Sequence, residues 1–239
     1  MAEGRLACFG VSGSDARVYY VDANVSVIEL AWLGQWTWNN LTAITGISAE
    51  SSASPLTCFG VGGSASRVYF PKFGMVELAW EGNNWVHNDV TALAGAPSPG
   101  GYVVTCFGVG GSDSRVYYLD SNRHLVELAW VGNWVHNDLT AITRTSPAQT
   151  DSPVTCFGAR GSDSRVYYLD SNNHVNELAW ADNWVHNDLT AIARTSPAQI
   201  GSPLTCFGVG GSDSRVYYLD PNNHVNELAW VGNWGMGAP

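Results

Sequence analysis

An arginine, a glutamate and two tryptophans recur as a set along this chain at nearly constant spacing. In one copy, Arg165 is followed by Glu177, Trp180 and Trp184. A guanidinium and a carboxylate supply hydrogen-bond donors and acceptors to two neighbouring hydroxyls, and indole faces pack against the apolar C–H groups of a sugar ring. The set therefore suits the binding of a neutral sugar. The alternative is a structural set, with the tryptophans in the core and the charged pair as a salt bridge between strands.

The set occurs five times, and its arginines are separated by 50 residues except for one interval of 48; they are Arg17, Arg67, Arg115, Arg165 and Arg215. A constant period of this length indicates a repeat architecture. We therefore predict a single domain over residues 1–239, made of repeats at approximately 6–50, 51–100, 101–150, 151–200 and 201–239.

Each repeat contains four runs rich in Val, Tyr, Trp and Thr, separated by Gly, Ser, Asp and Asn residues that favour turns. In the fourth repeat these runs predict strands near Val154–Gly158, at Ser164–Leu169 and His174–Trp180, and from Trp184 to Ile192. No segment shows the 3.6-residue period and the caps of a helix. Four antiparallel strands every 40 to 50 residues or so are typical of a β-propeller blade. The predicted fold is an all-β, five-bladed β-propeller of four-stranded antiparallel blades, one for each repeat.

The pairing of the second and third strands should place the arginine and the glutamate on one face of the blade. If Arg165 lies opposite Glu177, the centre of the hairpin falls at Ser171, within the predicted turn. Directly opposed residues of an antiparallel pair project to the same face. In the second repeat the Arg67–Glu77 spacing is 10 residues instead of 12, and this even change keeps both residues on that face.

The tryptophans should lie on the other face. Trp180 follows Glu177 by three residues, and an odd offset along a strand reverses the side to which a residue points. Trp184 comes after a tight turn and stands beside Trp180 across the third and fourth strands. In a ring of blades, the arginine and glutamate of one blade then face the tryptophans of the next, with a cleft between them.

The order RVYY, a turn, a glutamate with a tryptophan three residues on and then a second tryptophan resembles the fucose-binding β-propeller lectins of fungi and soil bacteria, the Aleuria and Ralstonia lectin type. The resemblance covers all five repeats. It implies that an arginine and a glutamate of one blade bind the hydroxyls and ring oxygen of L-fucose, while two tryptophans of the next blade stack on the sugar and hold its methyl group. The implied function is that of a multivalent carbohydrate-binding lectin for fucosylated glycans or glycoproteins. We expect no cofactor and no metal, since a neutral sugar held by these residues leaves no charge for a cation to balance.

Carried over repeat by repeat, the resemblance implies five carbohydrate-binding sets: Arg17 and Glu29 with Trp80 and Trp85; Arg67 and Glu77 with Trp130 and Trp134; Arg115 and Glu127 with Trp180 and Trp184; Arg165 and Glu177 with Trp230 and Trp234; and Arg215 and Glu227 with Trp32 and Trp36. The last set would close a monomeric ring by packing of blade faces. The alternatives are a six-bladed ring completed by a second chain, a non-catalytic scaffold for protein–protein interaction, and a lectin for another neutral sugar.

A glycoside hydrolase is the main competing interpretation. Such an enzyme needs two carboxylic acids with different pKa values at one place. Here the carboxylates recur in the same context in every repeat, at Glu29, Glu77, Glu127, Glu177 and Glu227. No acid is singled out, so we expect no enzymatic activity.

A metal site is the other alternative. Three of the six histidines lie in VHND segments, at His87, His136 and His186, and the other three lie in hairpin turns, at His124, His174 and His224. A histidine and an aspartate two residues apart on a strand provide at most two ligands, and a structural metal site requires about four. We therefore predict no metal site.

Charge and composition exclude other partners. The formal net charge is −10 without a basic cluster, which disfavours nucleic acid and anionic membrane surfaces. Gly, Pro, Asn and Ser interrupt the uncharged runs, so we expect no membrane insertion. The N-terminal segment MAEGRLACFG lacks the pattern of a signal peptide.

One cysteine occupies the same position in an apolar CFG triplet of every repeat, at Cys8, Cys58, Cys106, Cys156 and Cys206. Equivalent positions in separate blades are held apart, so this pattern predicts buried structural thiols instead of disulfides or a metal cluster. Free thiols suit a reducing cytoplasm, and non-classical secretion is the alternative. The sequence leaves the localisation undetermined.

Overall fold

The computed structural model describes residues 6–11, 15–61, 65–109, 113–159, 163–209 and 213–236. It contains five four-stranded antiparallel sheets, one for each repeat, which confirms the predicted all-β class and the number of blades. The strands of every sheet lie side by side in chain order. The predicted Gly-Ser turn between the first two strands, at residues 161–162 in the fourth repeat, lies outside the described residues.

Sheet 1 consists of β1 (Leu6–Val11), β2 (Asp15–Val21), β3 (Val27–Trp32) and β4 (Trp36–Asn40). Sheet 2 consists of β5 (Thr57–Val61), β6 (Ala65–Pro71), β7 (Met75–Glu81) and β8 (Asn84–Asp89). Sheet 3 consists of β9 (Pro99–Val109), β10 (Asp113–Asp120), β11 (Leu125–Trp130) and β12 (Trp134–Asp138). Sheet 4 consists of β13 (Val154–Ala159), β14 (Asp163–Leu169), β15 (Val175–Trp180) and β16 (Trp184–Asp188). Sheet 5 consists of β17 (Leu204–Val209), β18 (Asp213–Leu219), β19 (Val225–Trp230) and β20 (Trp234–Met236).

One-turn helices follow the fourth strands of the first four sheets: α1 (Leu41–Thr45), α2 (Val90–Ala94), α3 (Leu139–Thr143) and α4 (Leu189–Ala193). The prediction that a strand continues from Trp184 to Ile192 is therefore wrong beyond Asp188. The Asp188 carboxylate accepts a hydrogen bond from the Ala191 backbone N–H and caps α4, which ends the strand. One turn is too short to display a 3.6-residue period, so the sequence pattern does not reveal these helices. Among the described residues, no helix is long and apolar enough to cross a bilayer.

The second and third strands pair two residues away from the predicted register. Arg165 lies opposite Ala179, and Glu177 lies opposite Tyr167 instead of Arg165. The centre of the hairpin is accordingly one residue later than Ser171. A shift of two in the pairing keeps every side chain on its face, so the predicted sharing of a face by Arg165 and Glu177 is correct.

Every sheet thus has two faces of different chemistry. We call the side that carries the arginine, the first tyrosine of RVYY and the glutamate the arginine face. The opposite side, which carries both tryptophans, is the tryptophan face. In sheet 4 the two tryptophans lie directly opposite each other, Trp180 against Trp184.

The chain divides into two compact units, residues 1–116 with 128–136 and residues 117–127 with 137–239. In the first unit, Tyr19 and Val27 of sheet 1 pack in one core cluster with Leu78 and Trp85 of sheet 2. The single domain over residues 1–239 stays a prediction.

The core of the second unit is built in the same way. Tyr167 and Val175 of sheet 4 pack with Leu228 and Trp234 of sheet 5. In both units, therefore, the arginine face of one sheet covers the tryptophan face of the next.

Candidate functional site

The glutamate of each repeat lies at the centre of a hydrogen-bond network on the arginine face. In sheet 4, Glu177 Oε1 accepts a hydrogen bond from the Tyr167 hydroxyl at 3.0 Å and lies 3.7 Å from Arg165 Nε. Its other oxygen, Oε2, accepts a hydrogen bond from Asn187 Nδ2 at 2.9 Å. The Trp234 side chain also hydrogen-bonds to this carboxylate, so three of its about four acceptor positions are occupied and one remains for a ligand hydroxyl.

Burial controls the protonation of this glutamate. Desolvation raises the pKa of Glu177 above its ordinary value of 4.5, although Asn187, Arg165 and Tyr167 act in the opposite direction. Burial likewise raises the pKa of Glu77 in sheet 2. Burial and the neighbouring Glu177 carboxylate also raise the pKa of Tyr167 well above its ordinary range, so this tyrosine stays a neutral hydrogen-bond donor.

The guanidinium is held by backbone carbonyls. Arg165 Nη1 donates to the carbonyls of Ser164 at 3.2 Å and Trp180 at 3.0 Å. Two of its three nitrogens are thus directed at the protein, Nη1 at carbonyls and Nε at the glutamate. Among the described residues, the Nη2 group of Arg165 makes no hydrogen bond, and this donor is available for a ligand.

The tyrosine and the asparagine of this network are not among the residues predicted from the sequence. Tyr167 lies two residues after Arg165 and therefore on the same face of β14, and Asn187 lies opposite Glu177 in the ladder. A two-residue period applied to RVYY and VHND would have found both. The equivalent asparagines also bind their glutamates in the first three sheets, at Asn39, Asn88 and Asn137.

The two tryptophans of a set differ in exposure. The ring centroids of Trp180 and Trp184 are 5.7 Å apart at an interplanar angle of 66°, and the tryptophan pairs of the other sheets have nearly the same geometry. The fourth-strand members Trp85, Trp134, Trp184 and Trp234 are only 4% to 8% exposed, since a neighbouring tyrosine covers them. The third-strand members Trp80, Trp130, Trp180 and Trp230 are partly exposed. The third-strand tryptophan is therefore the indole that a ligand can reach.

In the first unit, the structure brings two predicted sets together. Tyr19 of sheet 1 contacts Trp85 edge to face, with 6.1 Å between ring centroids, beside the Arg17 and Glu29 pair. In the next set, Tyr69 contacts Trp134 in the same way at 6.3 Å.

The second of these sets lines a cavity of about 440 Å³. Its wall combines the charged and amide groups of sheet 2 with the tryptophans of sheet 3, and it consists of Arg67, Glu77, Glu81, Asn88, Leu93, Ser114, Trp130, Gly132, Asn133 and Trp134. A cavity of this size with a few convergent polar groups and aromatic walls is typical of small-ligand sites.

In the second unit, the structure brings the Arg165 set together. Tyr167 contacts Trp234 edge to face at 6.3 Å, and the Trp234 side chain also hydrogen-bonds to Glu177. Trp230 lies 5.9 Å from Trp234, so both predicted tryptophans belong to this cluster.

The other two predicted sets, Arg115 and Glu127 with Trp180 and Trp184, and Arg215 and Glu227 with Trp32 and Trp36, combine residues of both units and stay predictions. Within its own unit, the tryptophan face of sheet 1 is exposed: Trp36 is 54% exposed and Cys8 is exposed too. The arginine face of sheet 5 is also less buried, with Glu227 more accessible than its equivalents.

Exposure of Cys8 corrects the prediction that all the CFG cysteines are buried. The other four are partly buried, and all five carry free thiols. These cysteines lie on the tryptophan face: Cys58 and Cys206 pack against the preceding sheet of their own unit, whereas Cys8 shares the face of the exposed Trp36. Burial raises the pKa of the Cys106 thiol, and that of Cys206, to about 12.

The turn histidines contact single carboxylates. His124 Nδ1 lies 2.8 Å from Asp138 Oδ2, and His174 Nδ1 lies 2.8 Å from Asp188 Oδ2. In the part of the chain that the structure describes, no group of three or more His, Cys, Asp or Glu side chains is placed to hold a metal ion. His124 and His174 therefore link their hairpin turns to the aspartates that cap α3 and α4.

Solved structures that are similar to this chain are lectins. A mutant of the Aleuria aurantia lectin in complex with Fucα1-6GlcNAc has a TM-score of 0.72 and 19% identity, over 100% of this chain and 80% of that one. A second Aleuria aurantia lectin structure, described as a six-bladed β-propeller with a fucose recognition mode, has a TM-score of 0.71 and 20% identity, over 98% of this chain and 77% of that one. A lectin from Burkholderia pseudomallei has a TM-score of 0.66 and 15% identity, over 99% of this chain and 69% of that one. These likenesses show the β-propeller fold.

No curated protein matches the chain. The family model for fungal fucose-specific lectins matches residues 67–195, which is more than half of the 239 residues. The chain therefore belongs to the fungal fucose-specific lectin family.

Proposed function

We propose that this protein is a multivalent lectin that binds L-fucose and fucosylated glycans in clefts where the arginine face of one sheet meets the tryptophan face of the next. The observation that carries the proposal is the cavity whose wall joins Arg67 and Glu77 to Trp130 and Trp134 in a member of this family. The Aleuria aurantia lectin complex with Fucα1-6GlcNAc supports the choice of sugar.

Each group has a role in this proposal. The arginine donates hydrogen bonds through Nη2 to sugar hydroxyls, and the glutamate fixes the guanidinium and accepts a hydrogen bond from a sugar hydroxyl. The third-strand indole packs against the apolar side of the sugar, including the methyl group of a 6-deoxyhexose. The fourth-strand indole supports it from the core. A neutral sugar bound in this way needs no metal, so binding should persist in EDTA.

The proposed role covers the five predicted sets. Two sets in the first unit and the Arg165 set in the second have the contacts described above. The third and fifth sets are proposed from their equivalent positions in the repeat alone.

We propose that the protein is not an enzyme. Glu77 and Glu177 each pair with the arginine, the tyrosine and the asparagine of their own repeat, and burial raises the pKa of both, whereas glycoside hydrolysis needs two carboxyl groups with different pKa values at one place. A fluorogenic fucoside incubated with the protein should release no fluorophore above the buffer blank.

The test of the binding proposal uses two substitutions in different sheets of one unit. Arg165→Ala and Trp230→Ala should each lower the stoichiometry for methyl α-L-fucoside by one site in calorimetric titration. The double variant should lose the same single site. Phe73→Ala, which removes an exposed aromatic side chain outside all five sets, is the control and should leave the stoichiometry unchanged.

Loss of two sites in the double variant would show that Arg165 and Trp230 do not share a cleft. Unchanged binding in both single variants would assign these residues to the core and favour the interaction scaffold. If a glycan array shows another neutral sugar bound ahead of fucose, the protein is still a lectin, but the proposal that fucose is its ligand is wrong.

A further inference from the structure

Sheet 2 differs from the other sheets in the hairpin that joins its third and fourth strands. β7 continues one residue past Trp80, and Glu81 pairs with Asn84. Gly82 and Asn83 form the two-residue turn with positive φ angles of 54° and 72°. In sheet 4 the third strand ends at Trp180, and the next residue already lies in the turn. One additional residue in the sheet 2 hairpin therefore extends the ladder by one pair.

This extension places a second carboxylate beside the arginine. Glu77, Ala79 and Glu81 alternate along β7 and project to the same face. Glu81 Oε1 lies 3.1 Å from Arg67 Nη2, and Glu81 also lines the cavity. The equivalent positions of the other repeats carry uncharged residues, Leu33, Val131, Ala181 and Val231.

The ion pair occupies the donor that a ligand would use. Arg67 Nη1 donates to the carbonyls of Ser66 and Trp80, each at 3.2 Å, and Nε lies 3.5 Å from Glu77. Nη2 is the remaining nitrogen of this guanidinium, and Glu81 accepts its hydrogen bond. At Arg165, the described part of the chain contains no acceptor for the corresponding nitrogen.

We propose that Glu81 competes with a neutral sugar for Arg67 Nη2 and so lowers the affinity of this cleft. This inference rests on the proposed function of the cleft. Glu81 makes the Arg67 cleft a weaker fucose site than the Arg165 cleft, because the sugar must displace the carboxylate before it can accept the hydrogen bond. The five repeats therefore do not provide equivalent sites.

The size of the effect follows from the exposure of the pair. The Glu81 side chain is 55% exposed, and ion pairs of exposed side chains are weak. Converted to an equilibrium constant, their typical strength corresponds to about 1.5- to fivefold in affinity. Salt screens such a pair, so the difference should shrink at high ionic strength.

The test requires a protein with one intact cleft. Alanine replaces the four other arginines, Arg17, Arg115, Arg165 and Arg215, and methyl α-L-fucoside is titrated by tryptophan fluorescence. Glu81→Val in this background should lower the Kd by about 1.5- to fivefold. Glu81→Gln, which removes the charge and keeps the shape, should act in the same direction. Glu50→Gln removes a charge at an exposed position away from the clefts and should leave the Kd unchanged.

An unchanged or higher Kd in both Glu81 variants would overturn the inference, and a higher Kd would make Glu81 a direct sugar ligand. The inference would also be overturned if the five-arginine protein binds fucoside but neither the single-cleft protein nor its Glu81→Val variant does. Failure of the unmodified protein to bind any fucoside would instead refute the proposed function. Circular dichroism and melting temperature identify variants that do not fold. If the single-cleft protein does not fold, the Kd for methyl α-L-fucoside is compared between the five-arginine protein and its Glu81→Val variant, and an unchanged or higher Kd overturns the inference.

Discussion

At the scale of single residues, side chains of the same type differ in exposure and in their hydrogen-bond partners. Trp180 and Trp184 belong to one pair, yet only the first is partly exposed. A glutamate that is almost fully enclosed holds its arginine through Nε and its tyrosine through the hydroxyl. Protonation of that glutamate should therefore affect both binding and stability, in opposite directions.

The pH dependence of binding follows from the raised pKa of Glu77 and Glu177. As pH falls through these raised values, each carboxylate becomes neutral and no longer attracts the guanidinium. Fucoside binding should weaken at a pH above the ordinary carboxyl value of 4.5. Fluorescence titrations between neutral and acidic pH measure this, and affinity that stays constant down to that value would contradict it.

The stability contribution has the opposite sign. The raised pKa means that the two carboxylates bind protons more tightly in the folded state than in the unfolded chain. Their contribution to the free energy of unfolding therefore falls as pH rises from the ordinary to the raised pKa. Mild acidification should consequently weaken binding before it lowers the melting temperature. Glu177→Gln should remove its share of the pH dependence of stability.

Thiol reactivity provides a second test at this scale. Cys8 is exposed, whereas burial raises the pKa of Cys106 and of Cys206 to about 12. The thiolate is the reactive form, so one thiol should react rapidly with Ellman's reagent and the buried thiols slowly. Cys8→Ser should abolish the fast phase. Retention of that phase in the variant would place the accessible thiol elsewhere.

At the scale of the elements, the glycine of the CFG triplet sets how closely neighbouring sheets approach. A Cβ atom at Gly208 would lie 2.0 Å from Cε2 of Phe157 in the preceding sheet. Phe157 is stacked on Tyr167 with 6.1 Å between centroids, so its ring has little room to move. The same approach occurs at Gly60 against Phe9.

Gly208→Ala should therefore destabilise the second unit by about 1–3 kcal/mol, the usual cost of overpacking. Gly10→Ala is the matched control, because no atom lies within 4 Å of an added Cβ there. The control should be neutral or slightly stabilising, since alanine restricts the unfolded chain. Thermal unfolding of both variants checks this, and equal melting temperatures would show that Phe157 can yield.

At the same scale, one additional residue in the sheet 2 hairpin places Glu81 in the cavity wall beside Arg67. Extension of the β7–β8 ladder by the Glu81–Asn84 pair moves a turn residue onto a strand. The helix caps shorten strands instead of extending them. Asp188 ends its strand because its side chain accepts a hydrogen bond from the Ala191 backbone N–H.

At the scale of the whole molecule, several clefts on one chain can bind a glycan-coated surface together. After the first contact the second is intramolecular, which can raise apparent affinity by a factor on the order of 10². Multivalency of this kind needs no second chain, and we propose that the protein acts as a monomer. Trp36 of sheet 1 and Glu227 of sheet 5 are members of the predicted sets that stay accessible, and a second chain could contact them.

Sedimentation should accordingly give the mass of one chain for the unmodified protein and for Trp36→Ser alike. A larger mass for the unmodified protein that falls to one chain in Trp36→Ser would show that the tryptophan face of sheet 1 binds a second copy. That result would favour the alternative of a ring completed by another chain.

The sequence by itself determined the features that depend on period alone. A constant repeat of the arginine predicted the five sheets, and the two-residue period of a strand placed Arg165 and Glu177 on one face and Trp180 on the other. These conclusions hold because side-chain direction on a strand depends on parity, which is a local property. The same property explains the error in register, since parity cannot distinguish pairings that differ by two residues.

Only the tertiary structure decided which members of each set are accessible. A neighbouring sheet buries Trp234 against Tyr167 and leaves Trp230 partly exposed, although both are tryptophans at fixed spacing. The exposure of Trp36 and the engagement of Arg67 by Glu81 likewise depend on what lies beside them in space. Burial and pairing are relations between distant parts of a chain, so a local pattern cannot contain them.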